Sequence, residues 1–203
     1  MIVKVCGLKH LNNIIDLNPM KVNFIGINFY EDSARCVDHT KAFEFSNYKT
    51  HKKVGVFVNA SFQYVKDMAT IYKLDYVQLH GDESPDFVYS LSEITNVIKV
   101  FRIKEASDLD LALYYEGCKY FLFDTRSKEY GGSGLQFDWK ILENYYFSTP
   151  FLLAGGIGPN DYSEILKINN PAFAGIDINS KFEVEPGLKD IKTIRTFLDN
   201  LFV

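Results

Sequence analysis

Residues 120–139 read YFLFDTRSKEYGGSGLQFDW. Four apolar residues, 120–123, stop at an acid, Asp124. A polar segment follows, then the tract Gly131-Gly132-Ser133-Gly134, then Phe137-Asp138-Trp139, where the pattern predicts the start of a helix. A short apolar run with aromatic residues and no alternating polar positions predicts a strand covered on both faces. Asp124 then stands at the carboxyl end of that strand, beneath a long loop. In parallel α/β proteins, that edge is where ligands bind and chemistry takes place. An Asp in this position also suits an ordinary turn, so the surrounding chain has to decide between the two.

Similar β-type runs recur at 2–6, 24–29, 54–58, 76–80, 97–103, 151–154 and 174–178. With 120–124 they repeat about every 25 residues, the spacing of strand–helix units. Helical patterns lie between most of them. Residues 61–73 carry Phe62, Val65, Met68, Ala69 and Tyr72 on one face behind Ser61, a residue suited to the N-cap. Ser84-Pro85 places a capping hydroxyl before a first-turn proline. The segment 105–116 ends at Gly117, and 160–168 and 188–201 complete the series. Alternation of strand and helix predicts right-handed βαβ units. Eight units predict an α/β fold closed as a single (β/α)8 TIM barrel, with residues 1–203 as one domain at the small end of that fold's size range. A doubly wound open sheet is the alternative. It calls for a G-x-G-x-x-G turn after the first strand, where this chain has Cys6-Gly7-Leu8-Lys9. The segment 31–53 gives no clear pattern.

The 203 residues are 47% hydrophobic and 24% charged, ordinary values for a globular protein. Lys plus Arg is 22 against 26 for Asp plus Glu, a formal charge of −4. That balance argues against a nucleic-acid or anionic-membrane surface and implies that any functional cation acts locally, in a pocket for a small molecule. No stretch approaches a membrane span, and the N-terminus has no secretory pattern. Cys6, Cys36 and Cys118 are scattered and odd in number, matching neither a disulfide framework nor a zinc motif. A cytoplasmic chain is expected. Monomer and homodimer both stay open.

In a barrel the strand ends converge on one rim. They would bring together Cys6, Arg35, Gln78, His80, Arg102, Asp124, Gly155-Gly156 and the segment from Asp177 to Ser180. A thiol and a carboxyl group on one rim form an acid–base pair if a nearby cation or helix N-terminus favours the thiolate. A lone Cys is otherwise a small buried hydrophobe. Gly155-Gly156, after the seventh strand, suits a phosphate cradle of bare backbone N–H groups, though a tight turn asks for the same residues. The Gly131–Gly134 tract is too far from its strand end for that role and reads as a closing lid.

Taken together, these strand ends resemble the phosphoribosylanthranilate isomerase family of tryptophan biosynthesis. The matching stretches, in family order, are Lys4-Val5-Cys6-Gly7-Leu8, Gly26-Ile27-Asn28-Phe29-Tyr30 through Ser33-Ala34-Arg35, Val77-Gln78-Leu79-His80-Gly81, Phe123-Asp124, Gly131-Gly132-Ser133-Gly134 with Phe137-Asp138-Trp139, Leu153-Ala154-Gly155-Gly156-Ile157, and Gly175-Ile176-Asp177 through Pro186-Gly187-Leu188-Lys189-Asp190. The resemblance implies an Amadori rearrangement of N-(5-phosphoribosyl)anthranilate to 1-(2-carboxyphenylamino)-1-deoxyribulose 5-phosphate, without metal or organic cofactor. It implies Asp124 as general acid and Cys6 as general base. It also implies Arg35 as partner of the anthranilate carboxylate, Gly155, Gly156 and Ser180 as the phosphate cradle, and Asp177 in the substrate site. Gln78, His80 and Arg102 fall at matching substrate-facing strand ends without a fixed role. The chain departs from the family at Glu31-Asp32-Ser33-Ala34, which lacks the usual prolines, and at Asn179-Ser180-Lys181, where two serines and a glycine are usual. Other phosphosugar barrel enzymes, and a silent phosphosugar-binding barrel, are the rival readings; the pairing of Cys6 with Asp124 separates the chain from both.

Overall fold

The computed structural model describes residues 1–125 and 136–203. The Gly131–Gly134 tract read above as a lid lies outside them. Eight parallel strands close into a barrel: β1 (Ile2–Val5), β2 (Phe24–Asn28), β3 (Lys52–Phe57), β4 (Tyr76–Leu79), β5 (Asn96–Ile103), β6 (Tyr120–Thr125), β7 (Phe151–Leu153) and β8 (Phe173–Ile178). Each strand pairs with the next, and β8 returns to β1 with Lys4 opposite Asp177. The expected (β/α)8 barrel is therefore the observed one, and the open sheet is excluded.

The double-sided apolar character of β6 has a direct cause. Leu122 points into the barrel with Phe24, Val54, Ile98, Val100, Leu152 and Ala154. Phe121 and Phe123 point outward, and the Phe123 ring lies 5.2 Å from Tyr145 and 5.1 Å from Phe151. The floor is aromatic: Phe24, Tyr76 and Tyr120, from three even-numbered strands, pack with ring centroids 4.9 to 6.1 Å apart. Layers drawn from alternate strands are how such barrels fill their interior. Each buried ring contributes about 1.5–3 kcal/mol.

Helices α1 (Leu11–Ile15), α2 (Ala42–Asn47), α3 (Phe62–Ile71), α4 (Pro85–Ser92), α5 (Tyr162–Ile165) and α6 (Ile191–Leu201) cover the outside. The Ser61 hydroxyl accepts from Tyr64 N at 3.2 Å and Ser84 from Phe87 N at 3.3 Å, the two caps foreseen in sequence. Four helical expectations need correction. The helix expected to start at 137–139 is a short 3-10 helix over Trp139–Asn144, capped by Asp138. Residues 106–114 form a 3-10 helix, because Ala106, Leu109, Ala112 and Tyr115 recur every third residue and i→i+3 winding puts them on one edge. The helix expected over 160–168 narrows to the single turn of α5. Leu188 and Lys189 form β10 (Leu188–Lys189), paired with β9 (Glu183–Glu185) across Pro186-Gly187, and α6 starts only after the Asp190 cap.

Lys99 and Glu83 form a buried ion pair outside the barrel, with Lys99 Nζ 2.7 Å from Glu83 Oε2 and 2.8 Å from Gly81 O. Glu83 also accepts from the N–H groups of Asn59 and Gly81, so it fixes the loop beyond β4. Lys99→Met strands that carboxylate in the interior and is expected to cost about 3–5 kcal/mol. Thermal unfolding should show a melting temperature lower by roughly 10 °C. A loss of only a degree or two would mean that water reaches Glu83.

Candidate active site

β1 runs on into Cys6, whose N–H donates to Ile178 O at 2.9 Å across the closing seam of the barrel. The thiol packs on Gly26 of β2, where an added Cβ would stand only 2.7 Å from Sγ. Glycine at that position is what allows the sulfur to lie against the neighbouring strand. Burial pushes the Cys6 thiol above its ordinary value, opposed chiefly by the Lys4 ammonium. Lys4 Nζ is itself bonded to Asp177 Oδ2 at 2.7 Å.

Across the barrel, Asp124 sits near the end of β6. Its Oδ1 accepts from Thr125 N at 2.8 Å, and its Oδ2 lies 3.1 Å from His80 Nε2. Gln78 Nε2 stands 3.2 Å from His80 Nδ1 and donates to it, which places the ring proton on Nε2, facing the carboxylate. The three residues thus form one chain from β4 to β6. Among the described residues, two buried acceptor atoms beside the cavity, Gln78 Oε1 and Asp177 Oδ1, have no hydrogen-bond partner. Orphaned buried acceptors of this kind suit the hydroxyl donors of a polyol ligand.

Arg35 comes from the loop after β2. Its Nε and Nη2 donate to the Glu183 carboxylate at 3.0 and 2.7 Å, a bidentate grip that leaves the rest of the fork for a ligand. Glu183 also accepts from Lys189 Nζ at 2.7 Å. Burial raises the Glu183 carboxyl, but Arg35, Lys189 and the Gly187 N–H outweigh it and hold the group below its ordinary value.

After β7, Gly155 and Gly156 both have positive φ, +85° and +67°. A Cβ on Gly155 would stand 2.5 Å from Thr125 N and 2.9 Å from Asp124 Oδ1, so only glycine fits. Among the described residues, none accepts from the N–H groups of Gly156 or Ile157. The Lys181 side chain lies over the same turn, with Nζ 3.9 Å from where a Gly158 Cβ would be. Asn179 points elsewhere, its Oδ1 held by Lys189 Nζ at 2.7 Å.

One cavity at this rim is lined by Cys6, Arg35, Gln78, His80, Asp124, Gly155, Gly156, Asp177 and Ser180. Of the sequence-derived candidates, only Arg102 is not among its lining residues. Arg102 stands opposite Asp124 in the strand register, but its guanidinium is paired with Asp82 on the loop beyond β4. Asn28, Tyr30 and Ser33 line the cavity without having been singled out as site residues. Lys4, Glu183 and Lys189 were missed as supports. The one local signal for Lys4 was a charge inside the apolar run IVKV.

Residues 3–200 match the family model described as N-(5'-phosphoribosyl)anthranilate isomerase. The chain belongs to the phosphoribosylanthranilate isomerase family. The family's enzyme from Parabacteroides distasonis is 46% identical over 206 residues, covering 99% of this chain and 93% of that one. The one from Phocaeicola vulgatus is 43% identical and covers 99% and 98%. Among solved structures, the phosphoribosylanthranilate isomerase of Thermotoga maritima superposes with a TM-score of 0.86 at 30% identity, covering 99% of this chain and 98% of that one. Another member of the family, with a TM-score of 0.84 and 27% identity over the same shares, is a complex with reduced 1-(o-carboxyphenylamino)-1-deoxyribulose 5-phosphate. Family and fold thus agree with the sequence reading. Among the described residues, no helix is long and apolar enough to cross a membrane.

Proposed function

We propose that this chain converts N-(5'-phosphoribosyl)anthranilate to 1-(2-carboxyphenylamino)-1-deoxyribulose 5-phosphate, an intramolecular isomerisation of tryptophan biosynthesis. The observation that carries the reading is the meeting, in one cavity, of the Cys6 thiol, the Asp124 carboxyl group, the Arg35 fork and the Gly155-Gly156 turn. Asp124 protonates the furanose ring oxygen, the C1′–O bond breaks, and the anthranilate nitrogen supplies the electron pair of the resulting iminium. The cation acidifies the C2′–H bond, so Cys6 as thiolate suffices as base. Loss of that proton gives an enolamine, whose tautomerisation yields the ketone. The substrate's own nitrogen is the electron sink, so the proposed route calls on no cofactor.

The binding roles follow from the chemistry of each lining group. Gly155, Gly156 and Ser180 cradle the phosphate, with the Lys181 ammonium close to the same turn. Gln78 Oε1 and Asp177 Oδ1 accept from ribose hydroxyls, and His80 orients Asp124 through its Nε2–H. Arg102 lies one step outside this ring of contacts, and we assign it to the loop through Asp82 rather than to substrate. Arg35 receives the anthranilate carboxylate on the edge of its fork that Glu183 leaves open.

The deciding experiment follows the fluorescence of freshly generated phosphoribosylanthranilate as it is consumed. Turnover by the wild-type chain is expected; a folded protein that leaves the substrate untouched would sink the reading. Within the same assay, Arg35→Ala is expected to raise KM by about tenfold or more with a smaller change in kcat, the signature of lost ground-state binding through a charge-assisted contact. Competition by free anthranilate should weaken in that variant while competition by inorganic phosphate persists. The opposite pattern would mean that the two ends of the pocket are exchanged.

A further inference from the structure

The mechanism above leaves Lys4, a buried cation beside the base, without a task. Lys4 precedes Cys6 by two positions on β1, so both side chains face the barrel interior. The Lys4 side chain is completely buried, and its Nζ bonds Asp177 Oδ2 at 2.7 Å. Cys6 stands beside it on the same face of the strand, and the Lys4 charge favours the thiolate against burial. An ammonium carries three donors, so the bond to Asp177 leaves donors for the sulfur. A buried lysine used only to neutralise Asp177 would be a poor structural investment, since an apolar pair of similar volume is often as stable.

We infer that Lys4 is a positioning residue for the proton-transfer step: its ammonium favours the thiolate form of Cys6 beneath the substrate, offsetting part of the effect of burial, and Asp177 fixes the ammonium in place. The inference rests on Cys6 being the base. In the step itself the C2′–H bond breaks, the S–H bond of Cys6 forms, and the C2′ electron pair moves toward the iminium; Lys4 keeps its proton throughout. The charges facing the thiol are Lys4 from β1, Asp177 from β8 and Lys189 from beyond β8, with Arg35, His80 and Asp124 on other walls of the same cavity. β2 presents the uncharged Gly26 and Asn28. Burial and Asp177 disfavour the thiolate, and Lys4 is the largest opposing influence, ahead of Lys189.

The test measures iodoacetamide alkylation of Cys6 across the neutral-to-alkaline range, without substrate, in a Cys36→Ser/Cys118→Ser background that leaves it the sole thiol. Lys4→Met is expected to move the alkylation midpoint up by about one pH unit or more and to slow the reaction about tenfold at neutral pH. The ascending limb of the kcat/KM profile should move with it, and Lys4→Arg should restore much of both. Because Lys4→Met strands the Asp177 carboxylate, the comparison is repeated between the wild-type pair and Lys4→Met/Asp177→Asn, which removes both charges and strands neither; the midpoint should still rise, since Lys4 outweighs Asp177 at the thiol. An unchanged midpoint in either folded comparison would overturn the inference. Alkylation needs no substrate, so a wild-type chain inactive on phosphoribosylanthranilate would defeat the proposed function, whereas alkylation indifferent to Lys4 would defeat this inference alone.

Discussion

Asp124→Asn should lower kcat by about two to four orders of magnitude, the range typical of a lost general acid, while KM and melting temperature change little. The amide has nearly the carboxyl's shape but no proton to give to the ring oxygen. Its surroundings can adapt. Thr125 N already donates to Oδ1 at 2.8 Å, and the amide oxygen can take that bond. The amide nitrogen would then face His80 Nε2, which becomes an acceptor if the ring proton moves to Nδ1. Gln78 can turn its Oε1, now without a partner, toward that Nδ1–H. One flip and one tautomer change keep every bond of the relay, so the loss should be chemical and not structural. A steady-state assay with a thermal melt on the same sample separates the two. A raised KM at unchanged kcat would make Asp124 a binding residue and would leave the acid to be found elsewhere, His80 being next in line.

Cys6→Ser is expected to produce a loss of similar size, again about two to four orders in kcat, for a different reason. The hydroxyl fits where the thiol was, since the smaller oxygen relieves the tight packing against Gly26. It does not ionise in the accessible pH range, so C2′ deprotonation loses its base. Substrate affinity should persist because Arg35 and the Gly155-Gly156 turn are untouched. The informative measurement is a solvent-deuterium exchange experiment at C2′ alongside turnover, since a base that abstracts this proton controls both. Retention of half the wild-type rate would remove Cys6 from the mechanism. Asp177, with a buried and unpartnered Oδ1 beside the same cavity, would then be the group to test.

Much of the fold was legible because strand and helix periods are local signals. The apolar runs foretold the strands to within two residues at either end, and Ser61 and Ser84 cap the helices they were expected to cap. The three helical segments that came out short or as 3-10 turns lie on the outer layer. There the spacing of a few buried contacts, Leu109 and Ala112 among them, sets the winding, and propensity does not.

The site separates along the same line. Sequence alone determined which residues stand at strand ends, because the end of an apolar run is visible in the run itself. That was enough to nominate Cys6, Asp124 and the Gly155-Gly156 turn. Only the tertiary structure decided who holds them. Lys4 meets Asp177 across 173 residues and Arg35 meets Glu183 across 148, both through the closure of the barrel and the hairpin beyond its last strand. Arg102 was drawn to Asp82 by a loop whose path no local pattern records. The physical reason is that a charge in a sequence announces a need for a partner without naming one. Which opposite charge answers is fixed by the packing that brings distant strand ends to the same buried place.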